Sequence, residues 1–97
     1  MPSVFQVAGN SSITSVTSSA TSVPLLVANP NRRGLLLFNS STQILYVKYG
    51  LTASATDYSF QIAAGGTFQA VGAIYLGAMD GIWASANGSV KITELSE

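Results

Sequence analysis

Few residues of this chain have side chains able to do chemistry. Its formal charges are Asp57, Asp80, Glu94 and Glu97 against Arg32, Arg33, Lys48 and Lys91, and it contains no His and no Cys. Without them the usual general base, the commonest transition-metal ligand and the thiolate nucleophile are all missing. Serines are abundant, but no G-x-S-x-G elbow is present, and a Ser–Lys arrangement would need Lys48 or Lys91, both of which read as solvent-facing strand positions. A carboxylate pair for glycoside hydrolysis must flank one bond in a cleft. Here Asp57 reads as the opening of a strand, Asp80 as part of a turn, and Glu94 and Glu97 as solvating the C-terminus. Oxygen-only metal binding at Asp57 or Asp80 lacks an EF-hand-like loop. The Gly65-Gly66 pair lacks the helix and Lys that phosphate binding favours. The expectation is a protein that is not an enzyme, with no catalytic residue, cofactor or metal.

What remains is binding. Arg32-Arg33 is the only charge cluster, and four bases balanced by four acids do not make the basic surface that nucleic-acid binding requires. The pair reads either as solvated beside a turn or as an inter-subunit contact, for which the planar guanidinium is well suited. Aromatic side chains suggest a second possibility, stacking on a glycan through Tyr46, Tyr49 and Tyr75. Tyr46 and Tyr49 fall on opposite faces of one strand, and core packing competes for each of them.

The elements that position these residues follow from pattern. The chain has 97 residues, enough for one domain. Charged residues are only 8%, against roughly 25% in an average soluble domain. Hydrophobic residues reach 47%, formal net charge is zero and mean hydropathy is +0.39. Such a composition fits a membrane protein or a subunit whose surface neighbours cover. The charge-free stretch from Tyr58 to Met79 is long enough to span a bilayer. Its apolar residues alternate around Gly65-Gly66, however, so it reads as strand–turn–strand. Met1-Pro2-Ser3 shows no signal-peptide pattern. A membrane is therefore not expected as a partner.

Residues 1–22 are rich in Ser and Thr, with Phe5, Ile13 and Val16 among the scattered apolar positions. They read as an extended arm or as edge strands that order against a neighbour, and those three residues are its candidate contacts. From 23 to 97 the chain reads as a single β-sandwich domain. Leu25–Ala28 is followed by the Asn29-Pro30-Asn31 turn. Gly34–Phe38 is apolar on both faces and reads as a central strand covered on both sides, with Ile44–Tyr49 as its hairpin partner. Tyr58–Ala63 alternates and returns through Gly65-Gly66 into Thr67–Val71. Ile74–Leu76 reads as a short strand ended by Gly77 and an Asp80-Gly81 turn. A last hairpin is built on Asn87-Gly88, facing Trp83 with Ile92. No segment has helical periodicity over three turns. The expected fold is all-β: a compact antiparallel β-sandwich or jelly-roll-like barrel of about seven to nine short strands, with an extended N-terminal arm.

Four stretches carry a resemblance: Val27 to Asn39 (VANPNRRGLLLFN), Leu45 to Gly50, Ile62 to Gly66, and Gly81 to Leu95 (GIWASANGSVKITEL). Together they resemble small tailed-bacteriophage virion structural proteins, β-sandwich or jelly-roll subunits that decorate a capsid or build tail parts. The resemblance spans about Leu25 to Leu95, and its motifs are structural. It implies a capsid decoration (cement) protein on the outer surface of the virion. The implied partners are the major capsid protein and copies of the chain itself. A tail, baseplate or fibre component with a host-glycan site is the alternative. Cementing calls for a flat apolar underside; adhesion calls for exposed aromatics around a groove.

Overall fold

The computed structural model describes residues 8–97, and among these there is no helix. Eight strands form in chain order: β1 (Asn10–Thr17), β2 (Val23–Leu26), β3 (Arg32–Asn39), β4 (Leu45–Tyr49), β5 (Phe60–Ile62), β6 (Thr67–Gln69), β7 (Met79–Trp83) and β8 (Ser89–Ser96). They make two four-stranded sheets ordered β1-β8-β3-β6 and β2-β7-β4-β5, with every strand-to-strand ladder antiparallel. That order in two facing sheets is a jelly roll. The expectation of an all-β sandwich of seven to nine strands holds.

Alternation along the strands makes the core. From the first sheet Leu35, Leu37, Val90 and Ile92 point inward; from the second come Leu25, Leu45, Val47, Ile62, Met79 and Trp83. Side chains from both inner faces interdigitate there. Gly81 sits mid-strand in β7 because Leu25 and Leu45 cross directly over it. A Cβ at that position would stand 2.8 Å from Leu25 Cδ1.

Two buried polar groups tie the sheets and loops together. The Asn39 side chain lies at the end of β3, where its Nδ2 donates to the carbonyls of Gln43 (2.8 Å), Ile62 (3.0 Å) and Ala63 (3.2 Å). Its Oδ1 accepts from Ser41 Oγ (2.7 Å) and from Trp83 Nε1 (3.2 Å). One amide thus anchors the β3–β4 loop, the end of β5 and the core tryptophan, and a buried Trp N–H needs such a partner. The second group, the Arg32 guanidinium, lies at the other end of β3. It donates from Nε to Glu94 Oε2 (2.7 Å), from Nη1 to Tyr75 O (2.8 Å) and Gly77 O (3.1 Å), and from Nη2 to Val27 O (2.7 Å). The Asn29–Asn31 turn beside it forms as expected, with Arg32 N–H donating to Asn29 O and Asn31 N–H to Asn29 Oδ1.

The chain reaches this core by a different route from the one its turns suggest. The hairpins expected around residues 39–42, around Gly65-Gly66 and at Asn87-Gly88 do not form. In each case the flanking strands lie in opposite sheets, β3 and β4, β5 and β6, β7 and β8. Gly88 does take a positive φ of 96°. Its carbonyl, however, accepts from Ser18 N–H, and the next carbonyl, Ser89 O, accepts from Ser40 N–H, so the turn carries the chain across the sandwich. Trp83 and Ile92 still share the core, but from facing sheets. Ile74–Leu76 is not a strand: Arg32 holds the Tyr75 carbonyl, and Leu76 O accepts from Asn29 N–H. Asp80-Gly81 is not a turn but strand β7. Residues 10–17, read as arm or edge strand, are an edge strand paired along its full length with β8.

Candidate functional site

The outer face of the β1-β8-β3-β6 sheet is the largest feature without a filling of its own. Antiparallel register puts directly opposed residues on one face. Leu36 lies between Thr93 and Gln69, Phe38 between Lys91 and Thr67, and Ile13 opposite Thr93. Leu95 packs over Gly34, where a Cβ would come within 2.9 Å of its Cδ1. Leu36, Phe38 and Leu95 are each nearly 40% exposed and Ile13 is 70% exposed. A shallow groove of about 590 Å³ runs beside them, lined among others by Arg33, Gly34, Leu36, Gln69, Val71 and Leu95. Polar groups edge the face. Arg33 pairs with Glu97 at 3.0 Å at one end, and Lys91 Nζ donates to Ser15 Oγ at the other. β3 is therefore central in its sheet but covered on one side only, contrary to the reading from its double-sided apolar pattern.

The outer face of the second sheet carries Tyr46, Lys48, Asp80 and Ile82. Tyr46 lies between Ile82 and Gln61 and packs on Tyr58 with ring centroids 4.9 Å apart. Beside it Lys48 pairs with Asp57 at 2.6 Å. The Asp80 carboxylate accepts from Thr52 N–H and, at 3.4 Å, from Ser22 Oγ.

The two faces distribute the residues singled out from sequence unevenly. Tyr46 is separated from Tyr49 and Tyr75. Tyr49 turns inward and stacks on Tyr75 at 4.5 Å, and behind them Phe60 stacks on Phe68 at 4.0 Å. This aromatic row fills the side of the sandwich beside the edge strands β5 and β6, so the three tyrosines do not form one sugar-binding groove. Burial raises the Tyr49 phenol above the usual tyrosine range, partly offset by the Arg32 charge. Arg32, expected at a partner contact, is instead fully enclosed: four acceptors take its donors, and its side chain has no accessible surface. Glu94, expected to solvate the C-terminus, is its ion-pair partner and only 18% exposed. Arg33 remains at the surface, Ile13 is exposed, Val16 is half-buried against the core, and Phe5 lies outside the described residues. Leu36, Phe38 and Leu95 belong to the outer face although sequence reasoning placed none of them there. For Leu36 and Phe38 the signal was the second apolar stripe of β3, read as covered; Leu95, in β8, carried none.

The described residues hold no group of three or more metal-ligating side chains, and no buried side-chain nitrogen or oxygen among them lacks a partner. No family model, curated protein or solved structure matches the chain.

Proposed function

We propose that this chain is a non-enzymatic structural subunit of a bacteriophage virion, a capsid decoration protein that binds the major capsid protein and stabilises the assembled shell from outside. The observation that carries this reading is the apolar outer face around Leu36, Phe38 and Leu95 in a chain with so little charge. In this reading it would serve as the flat apolar underside that cementing calls for. Sheet spacing and rise per residue give such a face a plan area of roughly 400 Å². That is about half of what one partner contributes to a standard interface. The Val71–Ile74 loop and more than one capsid subunit therefore complete the contact. Ligands that bind only the assembled state stabilise it by mass action, and many symmetric copies add their contributions.

The alternative, a tail, baseplate or fibre component touching a host glycan, draws support from the half-buried Tyr46 packed on the exposed Tyr58, with Gln61 and the Lys48–Asp57 ion pair nearby. Copy number separates the two. Quantitative mass spectrometry of purified particles against the major capsid protein is expected to give a ratio near one or a simple fraction such as one third. A handful to a few dozen copies per particle would sink the decoration reading and favour the tail. A Phe38→Glu variant is expected to fold normally yet fail to bind particles lacking the protein.

A further inference from the structure

The four sheet edges differ sharply. β5 and β6 are three residues each. β2 is four residues, interrupted by a register shift and carrying Pro24. These are the devices by which natural sheets blunt their edges. β1 has none of them. It is eight residues long, regular in register, and free of proline and charge; no charged side chain precedes Arg32 anywhere in the chain. Seven of its eight residues are exposed.

The hydrogen-bond phase of the ladder identifies what β1 offers. Ser18 N–H donates to Gly88 O across the β1–β8 end, and Ser40 N–H donates to Ser89 O across the β3–β8 end. Successive residues of a strand point their N–H and C=O to opposite edges. β8 therefore uses its even-numbered residues toward β1 and its odd-numbered ones toward β3. Since Thr14 pairs with Ile92 and Val16 with Val90, the even residues of β1 bond β8. Ser11, Ile13, Ser15 and Thr17 turn their N–H and C=O groups to the edge that, among the described residues, no strand pairs.

We propose that β1 pairs antiparallel with β1 of a second copy, about a two-fold axis normal to the sheet through Thr14, to make a closed dimer with a continuous eight-stranded sheet. In this register Thr14 faces Thr14 of the second copy, Ile13 faces Ser15 and Ser11 faces Thr17. The last two pairings each occur twice and exchange two bonds, so about eight N–H···O bonds form. Thr–Thr pairs across strands are favourable, and no like charges meet. A shift that put Ile13 on the axis would use Gly9, but Gly9 lies beyond the strand with its N–H already given to Ser96 O. The small Ser and Thr side chains need no pocket on a partner, which favours self-pairing over capture of a foreign strand. Closure consumes the long edge of both copies and leaves only short ones, so assembly stops at two. The association is a property of the purified chain and stands or falls separately from the virion reading.

The test is the mass of the full chain in solution combined with amide exchange. At tens of micromolar, light scattering on a sizing column is expected to report twice the 10.0 kDa chain mass. Amide exchange is expected to show Ile13, Ser15 and Thr17 protected alongside Thr14 and Val16. Ser15→Pro removes an N–H that points to the open edge and leaves the β8 ladder intact. Because it counts twice at a two-fold interface, it is expected to weaken dimerisation at least about thirty-fold, with Thr14 and Val16 still protected. A monomer whose odd-numbered β1 amides exchange freely overturns the proposal. So does a dimer that survives Ser15→Pro, or an assembly larger than two.

Discussion

Replacing Arg32 with Met removes a guanidinium that no solvent reaches while keeping most of the volume of its stem. Four acceptors then lose their donor: the Glu94 carboxylate and the carbonyls of Val27, Tyr75 and Gly77. Breaking a buried pair from one side costs about 3–5 kcal/mol, and each stranded carbonyl about 1 kcal/mol or more. Glu94 keeps some exposure, and the three carbonyls lie in segments that are exposed or half-buried. All four acceptors therefore regain hydration, and the lower end of the pair cost, about 3 kcal/mol, stands for the whole. For a domain of this size each 1 kcal/mol moves the thermal midpoint by roughly 4–8 °C. The midpoint should fall by roughly 12–24 °C. Urea denaturation followed by Trp83 fluorescence gives the free energy directly, since Trp83 lies in the core. Arg32→Lys should recover only part of the loss, because one ammonium cannot reproduce the planar fork that spans β2, the 75–77 loop and β8. Adding Glu94→Leu to Arg32→Met should restore stability relative to Arg32→Met alone, by removing the carboxylate left behind. A loss below about 1 kcal/mol for Arg32→Met would falsify the view that this side chain holds the loops to the sheet.

Two further outcomes follow from the same interior. Burial raises the Tyr49 phenol, so the folded state binds that proton more tightly than the unfolded chain, whose phenol titrates near the ordinary value of about 10. The contribution is fully present below about pH 10 and is lost as pH rises through the folded value. Stability measured by urea midpoint from pH 9 to 11.5 should therefore decline, and Tyr49→Phe should flatten that alkaline slope. Asn39→Asp replaces the donor to Gln43 O, Ile62 O and Ala63 O with an acceptor. A cost of about 3 kcal/mol or more is expected in denaturant titration, more than for Asn39→Ala, since the carboxylate adds a buried charge facing three carbonyls.

The strands were legible in the sequence because a half-buried strand must alternate, and Leu35/Leu37, Leu45/Val47 and Val90/Ile92 do so whatever lies across from them. That symmetry also hid the topology. Trp83 and Ile92 face the core equally well from one sheet or from two, and Asn87-Gly88 supplies a positive φ for a hairpin or for a crossing. The local preference of the turn decided in favour of the hairpin; long-range bonds such as Ser18 to Gly88 decide otherwise. Arg32 was misplaced because a basic pair reads as surface, and nothing local reveals that Glu94 and the distant carbonyls of Tyr75 and Gly77 converge on it. The outer face was visible as excess apolarity in Leu36 and Phe38, but a single chain cannot show whether a second stripe is covered by itself or by something else.

The position of β8 between β1 and β3 has a consequence for how the protein is made. A chain growing from its N-terminus produces seven strands before the one that joins the first to the third. Until β8 emerges from the ribosome, β1 has no strand partner and β3 has only β6, so a long edge of each is open to other nascent chains. Folding is therefore expected only after β8 has been synthesised, and slowly, as suits a topology dominated by distant partners. Chains cut short within β8 should accumulate as aggregates, whereas changes confined to the start of β1 should leave soluble protein.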